Sequence, residues 1–170
     1  VADMCRKIEE NSISLPLYQR DISWTLQKCI DLLNYQLWGK APVSPISINV
    51  INTVDSAVPQ VSFIDREIIS TIERGQYSVV DGQQRLTTNY KAYCNHDDFR
   101  NIVLDLGKGE FTEVRDSIRS NQIPVGILLN KEDTKLFEYT KAKSALGSAD
   151  VLSVLLQVRS KMRNYNYTLN

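Results

Sequence analysis

Tyr77-Ser78-Val79-Val80-Asp81-Gly82-Gln83-Gln84-Arg85-Leu86-Thr87-Thr88 changes its pattern half-way along. Tyr77 to Val80 is a strand-forming run, and Asp81-Gly82 is a sharp turn out of it. Residues 83–95 then carry Leu86, Tyr90 and Tyr93 at helical spacing. A strand that turns on a glycine into a helix gathers unpaired backbone N–H groups and the positive end of the helix dipole at one point. Both favour an anion. Gly82 permits close approach of a phosphate, and Arg85 adds a fork of donors matched to phosphate oxygens. Asp81, at the strand end, is placed to hold Mg²⁺ through water or to orient an attacking water. Thr87 and Thr88 offer hydroxyls one turn further on. The same spacing also fits a plainer reading, with Asp81 and Gly82 making only a turn and Arg85 on a solvated helix face. The run is not a Walker loop, because the Gly-Lys-[Ser/Thr] ending is missing.

Outward from this junction, strands and helices are interspersed. Residues 2–10 predict a short helix, and Ser12-Ile13-Ser14-Leu15-Pro16 a brief strand whose pairing Pro16 limits. From Thr25, the positions Leu26, Ile30, Leu33 and Leu37 predict a helix that Gly39 and Pro42 end. Ile46 to Ile51 alternates as a half-buried strand. Residues 52–61 read as loop, with Asn52, Asp55 and Pro59 as breakers. Residues 63–74 fit two descriptions. Ser62 with Asp65 resembles a capping box, and Ile64, Ile68 and Ile72 share a helical face. The β-branched run Ile68-Ile69-Ser70-Thr71-Ile72 also suits a strand paired with 77–80 across Arg74-Gly75. Helix is the expectation. Ile102 to Leu106 reads as a strand turning at Gly107-Lys108-Gly109, and helices follow near 131–146 and 149–163. The predicted class is α+β (mixed α/β).

A second segment is dense in recognition chemistry: Leu15-Pro16-Leu17-Tyr18-Gln19-Arg20-Asp21-Ile22-Ser23-Trp24. An aromatic such as Tyr18 can stack on a base, and Arg20 can clamp a phosphate. Trp24 serves equally well as an apolar anchor for the helix that follows it.

Together, Pro16-x-Tyr18-Gln19-Arg20 with Trp24, and the later Asp81-Gly82-Gln83-Gln84-Arg85-Leu86-Thr87-Thr88, resemble the N-terminal domain family of GmrSD restriction enzymes, grouped with ParB and sulfiredoxin-like proteins. The resemblance covers about the first hundred residues. It implies a ParB/sulfiredoxin-like small mixed sheet with flanking helices. Residues 1–114 would form the nucleotide-handling domain, and residues 115–170 a helical extension of it. It also implies a domain that binds and hydrolyses a nucleoside triphosphate, within a system that recognises and cuts foreign or modified DNA. The alternative is a non-hydrolysing, nucleotide-gated DNA-binding or scaffold module of the same fold. On this resemblance Tyr18, Gln19, Arg20, Gly82, Arg85, Thr87 and Thr88 would bind nucleotide. Asp81, Gln83, Gln84 and Arg85 would act in catalysis, with Mg²⁺ at Asp81. Sulfiredoxin relatives carry a reactive cysteine where this chain has Gln83-Gln84, which excludes thiol-based phosphoryl chemistry. Relatives that cut DNA often use a separate His-rich nuclease domain. His96 is the one histidine here, so DNA contact is expected through a longer protein.

Composition narrows the remaining classes. Apolar residues make up 42% of the 170 and charged residues 24%, which suits one soluble domain with a real core and argues against disorder. Twenty Lys/Arg cancel twenty Asp/Glu, which excludes avid nonspecific nucleic-acid binding by the chain as a whole. Residues 115–170 nevertheless hold nine cations against five acids. Three cysteines with no close pair and no leader pattern point to a reducing cytoplasm. No apolar run is long enough to span a bilayer. Val1 at the start, and the alternating end Tyr165-Asn166-Tyr167-Thr168-Leu169-Asn170, read as a fragment ending in an unfinished strand. Two weaker candidates remain. Cys94-Asn95-His96-Asp97-Asp98 gathers possible metal ligands, yet a polar helix end explains it better. Arg159, Lys161 and Arg163 beside Tyr165 and Tyr167 fit either a nucleic-acid backbone or a cationic last helical turn.

Overall fold

The computed structural model describes residues 1–20, 23–40, 45–54 and 58–170. Pro42 and Asp55, expected to break structure, lie outside the described residues, as do Asp21 and Ile22 of the Tyr18 segment. The class is α+β. Two small sheets are flanked by helices, in the order α1 (Ala2–Glu9), β1 (Ile13–Pro16), α2 (Leu26–Leu37), β2 (Ser47–Val50), β3 (Gln60–Val61), β4 (Tyr77–Asp81) and α3 (Gln83–Tyr93). There follow β5 (Ile102–Asp105), β6 (Glu110–Glu113), β7 (Gln122–Pro124), α4 (Val125–Leu128), α5 (Asp133–Ala142) and α6 (Ala149–Arg163).

The first sheet runs β2-β4-β1-β3. Its β1 and β4 are parallel, with Ile13 opposite Tyr77 and Ser14 opposite Ser78, and its other pairs are antiparallel. Parallel pairing is what builds the site. The chain leaves both strands at the same edge of the sheet, so the segments after Pro16 and after Asp81 emerge side by side, although some sixty residues separate them. The second sheet, β6-β5-β7, is antiparallel. Its β7 comes from beyond residue 114, so the 115–170 segment is not helical throughout.

Each sheet has its own core. Ile8, Ile13, Leu15, Ile46, Val61, Val79 and Leu86 pack around the first. Leu33, Phe99, Ile102, Phe111, Leu128, Leu136 and Leu155 pack around the second. Helix α3 joins the two, with Leu86 in one core and Ala92 in the other. Helix α2 forms as its spacing predicts: Thr25 caps it by accepting the Lys28 N–H at 3.3 Å, and Gly39 follows it at φ +70°.

Residues 63–74 do not form the expected helix. Nor do they pair with 77–80, because β1 and β2 occupy both edges of β4. Instead the chain doubles back. Ser62 and Glu67 exchange bonds, the Ile69 N–H reaches the Gln60 carbonyl at 2.9 Å, and Val61 bridges Ile68. Ile64, Ile68 and Ile72 share no buried face, since Ile68 is 69% exposed. Ile64 and Arg66 take left-handed φ values of 68° and 53°, which no helix tolerates. The strand β3 lies inside the stretch read as loop. Beyond α6, Leu169 bridges Ile46 in parallel. The Ile46 N–H donates to the Thr168 carbonyl at 2.8 Å, and the Ile48 N–H to Asn170 at 2.9 Å.

Candidate functional site

A cleft of about 390 Å³ opens where β1 and β4 end. Gln19, Arg20, Trp24, Lys28 and Asp81 to Arg85 line it. Two bonds tie its halves together: the Gln19 Nε2 donates to the Val80 carbonyl at 3.3 Å, and the Trp24 N–H donates to Gln84 Oε1 at 3.3 Å. A third segment braces the first motif from outside. Arg66 Nη2 donates to the carbonyls of Gln19 (2.8 Å) and Leu17 (3.2 Å).

Gly82 is required by its position. It holds φ +97°, and a Cβ there would lie on the Ile46 side chain and 3.1 Å from Arg85 Nη2. It also leaves α3 without a side-chain cap, so the helix's first N–H groups remain available to an anion. The first turn of α2 faces the same cleft through Thr25 and Lys28.

Arg85 is 9% exposed and so does not sit on a solvated helix face. Its Nη2 donates to the Pro45 carbonyl at 3.2 Å, and its guanidinium lies 5.5 Å from the Tyr167 ring centroid. Behind it runs a buried polar chain. Asn89 donates to the Arg85 carbonyl at 2.9 Å and exchanges two bonds with Gln36, which accepts from the Tyr167 hydroxyl at 2.5 Å. Burial drives the Tyr167 phenol pKa upward, keeping it neutral and a donor. Gln36 is fully buried, so this chain fixes the floor beneath Arg85.

The other expected residues are placed as follows. Asp81 is exposed at the cleft and makes no ion pair among the described residues. Gln83 is buried and lines the cleft. Gln84 uses its carbonyl oxygen on Trp24. Tyr18 is 75% exposed, outside the cleft's described walls. Thr87 and Thr88 lie one turn deeper, on a separate cavity behind Gln83 and Gln84. Lys28, Ser23 and Thr25 were not anticipated. Lys28 had a legible signal, because a cation in a first helical turn opposes the dipole unless an anion compensates it.

Among the described residues no three His, Cys, Asp or Glu side chains gather as a metal site. Around His96 the polar-end reading holds, with His96 Nδ1 accepting the Asp98 N–H at 3.1 Å and Lys91 paired to Asp98 at 2.9 Å. The basic run on α6 is largely structural. Arg159 is buried on the Leu128 carbonyl (2.8 Å) and Asp133 (2.6 Å), and Arg163 donates to the Asn130 carbonyl at 2.7 Å. Among the described residues no helix is long and apolar enough to cross a membrane.

Fold and cleft together define a small α+β domain in which two chain exits from one sheet edge form a single cleft, with three cations and one carboxylate among its described walls. The model of the family "GmrSD restriction endonuclease, N-terminal domain" matches residues 1–166, and the chain belongs to that family. The match extends well past the first hundred residues that carry the motif resemblance. No curated protein matches the chain.

Proposed function

We propose that the cleft binds the phosphates of a nucleoside triphosphate and hydrolyses the terminal one, within a protein that recognises and cuts DNA. The observation that carries this reading is the charge in the cleft. Among the described residues of its walls, Arg20, Lys28 and Arg85 face one carboxylate, Asp81, beside two helix N-termini. Such a net-cationic cleft suits a polyanion. A lone carboxylate with nearby phosphates also fits Mg²⁺, which is bound through one or two carboxylates plus phosphate oxygens and water. Mg²⁺ there would neutralise phosphate charge. In the hydrolysis, a water oxygen bonds the terminal phosphorus, the bridging P–O bond breaks, and the water's proton leaves to solvent or phosphate. Gln83, whose amide makes no hydrogen bond among the described residues, is suited to orient that water.

One observation favours a second reading, nucleotide binding without turnover: Asp81 is the single acidic group among the cleft's described walls. The separating experiment screens nucleotides for binding and hydrolysis on the full-length protein, with and without DNA and Mg²⁺. Arg85→Lys should weaken binding, because it loses a forked contact to phosphate. Asp81→Ala should spare Mg²⁺-free binding and abolish turnover. Full turnover in Asp81→Ala would remove Asp81 from the chemistry. Binding with no turnover by the wild type would leave the switch reading standing.

A further inference from the structure

Behind the cleft lies a more enclosed cavity of about 170 Å³, between α3, the start of α2 and the doubled-back loop 62–67. It shares Ser23, Trp24, Gln83 and Gln84 with the cleft as a common wall, and Arg66, Thr87 and the Lys91–Asp98 pair are among the residues that line the rest. Three observations set it apart from a packing gap.

Arg66 Nη1 is buried with no hydrogen-bond partner, and no carboxylate pairs with this guanidinium among the described residues. Thr87 Oγ1 is also buried and unpartnered. Mid-helix threonines ordinarily satisfy themselves on the carbonyl four residues back. Thr88 does so, donating to Gln84 at 2.8 Å, and Thr87 does not. Finally, the loop that brings Arg66 to the cavity holds Ile64 and Arg66 at left-handed φ. For a β-branched residue this is a costly conformation of the kind that clusters at ligand sites.

Buried polar atoms in folded proteins are almost always paired. The free groups here are a cationic donor and a hydroxyl. Lys91 adds no net charge because Asp98 neutralises it at 2.9 Å. The complement is an acceptor-rich anion. The volume decides its size: a cavity of about 150 Å³ accommodates one benzene, so this one, at about 170 Å³, admits a single tetrahedral group and leaves no room for a base and sugar. We infer that this cavity is a second binding site, for one phosphate-class oxyanion, with Arg66 and Thr87 as its donors. The inference stands apart from the cleft's proposed hydrolysis.

The test titrates the intact chain with inorganic phosphate and follows backbone amide NMR signals, Thr87 for the cavity and Gly82 for the cleft. Phosphate should shift Thr87 saturably. Thr87→Val keeps the shape and removes the donor, and should weaken that binding about tenfold. Arg66→Lys should weaken it comparably, and Arg85→Lys should leave it unchanged. Persistence of the Thr87 response under saturating non-hydrolysable nucleotide would identify free phosphate as the occupant. Competitive loss of the response would identify a phosphate group of the nucleotide. No saturable Thr87 shift, or affinity unchanged in both Thr87→Val and Arg66→Lys, overturns the inference. Because Thr87→Val touches no loop contact, it reads the site even where Arg66→Lys loosens residues 17–19. Failure of nucleotide to shift Gly82 would sink the cleft reading alone.

Discussion

Tyr167 is the sharpest place to perturb the candidate site, because its ring and its hydroxyl do separate things. Tyr167→Phe removes the 2.5 Å bond to Gln36 but leaves Gln36 Oε1 accepting from Asn89 at 3.0 Å, so no acceptor is stranded. The cost should be about 1 kcal/mol, the net value of one ordinary hydrogen bond. In a chain this long that corresponds to roughly 2–4 °C in melting temperature. Tyr167→Leu also removes the ring beneath the Arg85 guanidinium, a contact of about 0.5–2 kcal/mol, together with aromatic packing. Its total should be about 2–4 kcal/mol. With the ring gone from beneath Arg85, nucleotide affinity should fall by up to about tenfold, whereas Tyr167→Phe should preserve it. Urea unfolding and a nucleotide titration on both variants provide the measurements. Equal stability losses would show that the ring contributes nothing beyond its hydroxyl. Unchanged affinity in a folded Tyr167→Leu protein would refute the ring's role in positioning Arg85.

Gly82→Ala should lose about 1–3 kcal/mol, since its φ of +97° and the Ile46 side chain both oppose a Cβ; wild-type stability in chemical denaturation would refute this. Alkaline pH should destabilise the fold. Burial pushes the Cys5 thiol from 9.0 up to about 12 and the Tyr90 phenol from 10.0 up to about 12, and raises Tyr167 as well. In each case the folded state holds its proton more tightly. Stability is therefore intact below about pH 9 and declines as pH climbs toward about 12. Urea midpoints across that range should fall, and Cys5→Ala should flatten the first part of the decline. A level midpoint would contradict the burial argument. With balanced charge, this chain alone should bind DNA weakly and with steep salt dependence, and tight, salt-insensitive binding in a filter or anisotropy assay would place DNA recognition here.

The junction from Tyr77 to Thr88 was legible because its period changes from strand to helix across a glycine, and both elements form where that change falls. Residues 63–74 misled for the opposite reason. Three isoleucines spaced by four imitate a helical face without any buried partner to receive one. The strands β3 and β7 are two and three residues long, too short for alternation to register. That Gln19, Arg20 and Asp81 to Arg85 share a cleft follows from the parallel pairing of β1 and β4, a long-range fact that local pattern does not encode. The misplacement of Thr87 and Thr88 is one of depth. A helical turn advances about 5.4 Å, enough to carry a hydroxyl from the mouth of the cleft to the chamber behind it.

The pairing of residues 168–170 with β2 has a consequence in time. Ile46 and Leu169 are separated by roughly 120 residues, which at ribosomal rates of about 5–20 residues per second means some 6–24 s of synthesis. Until then the outer edge of β2 lacks its Thr168 and Asn170 partners, and Arg85 lacks Tyr167 beneath it. The sheet margin and the floor of the cleft are thus finished by the same late stretch of chain. A nascent or shortened polypeptide stopping before Tyr165 would present an open strand edge, the feature that invites intermolecular pairing. It would also lack the ring beneath Arg85, so a finished cleft floor and protection from aggregation should appear together during biosynthesis.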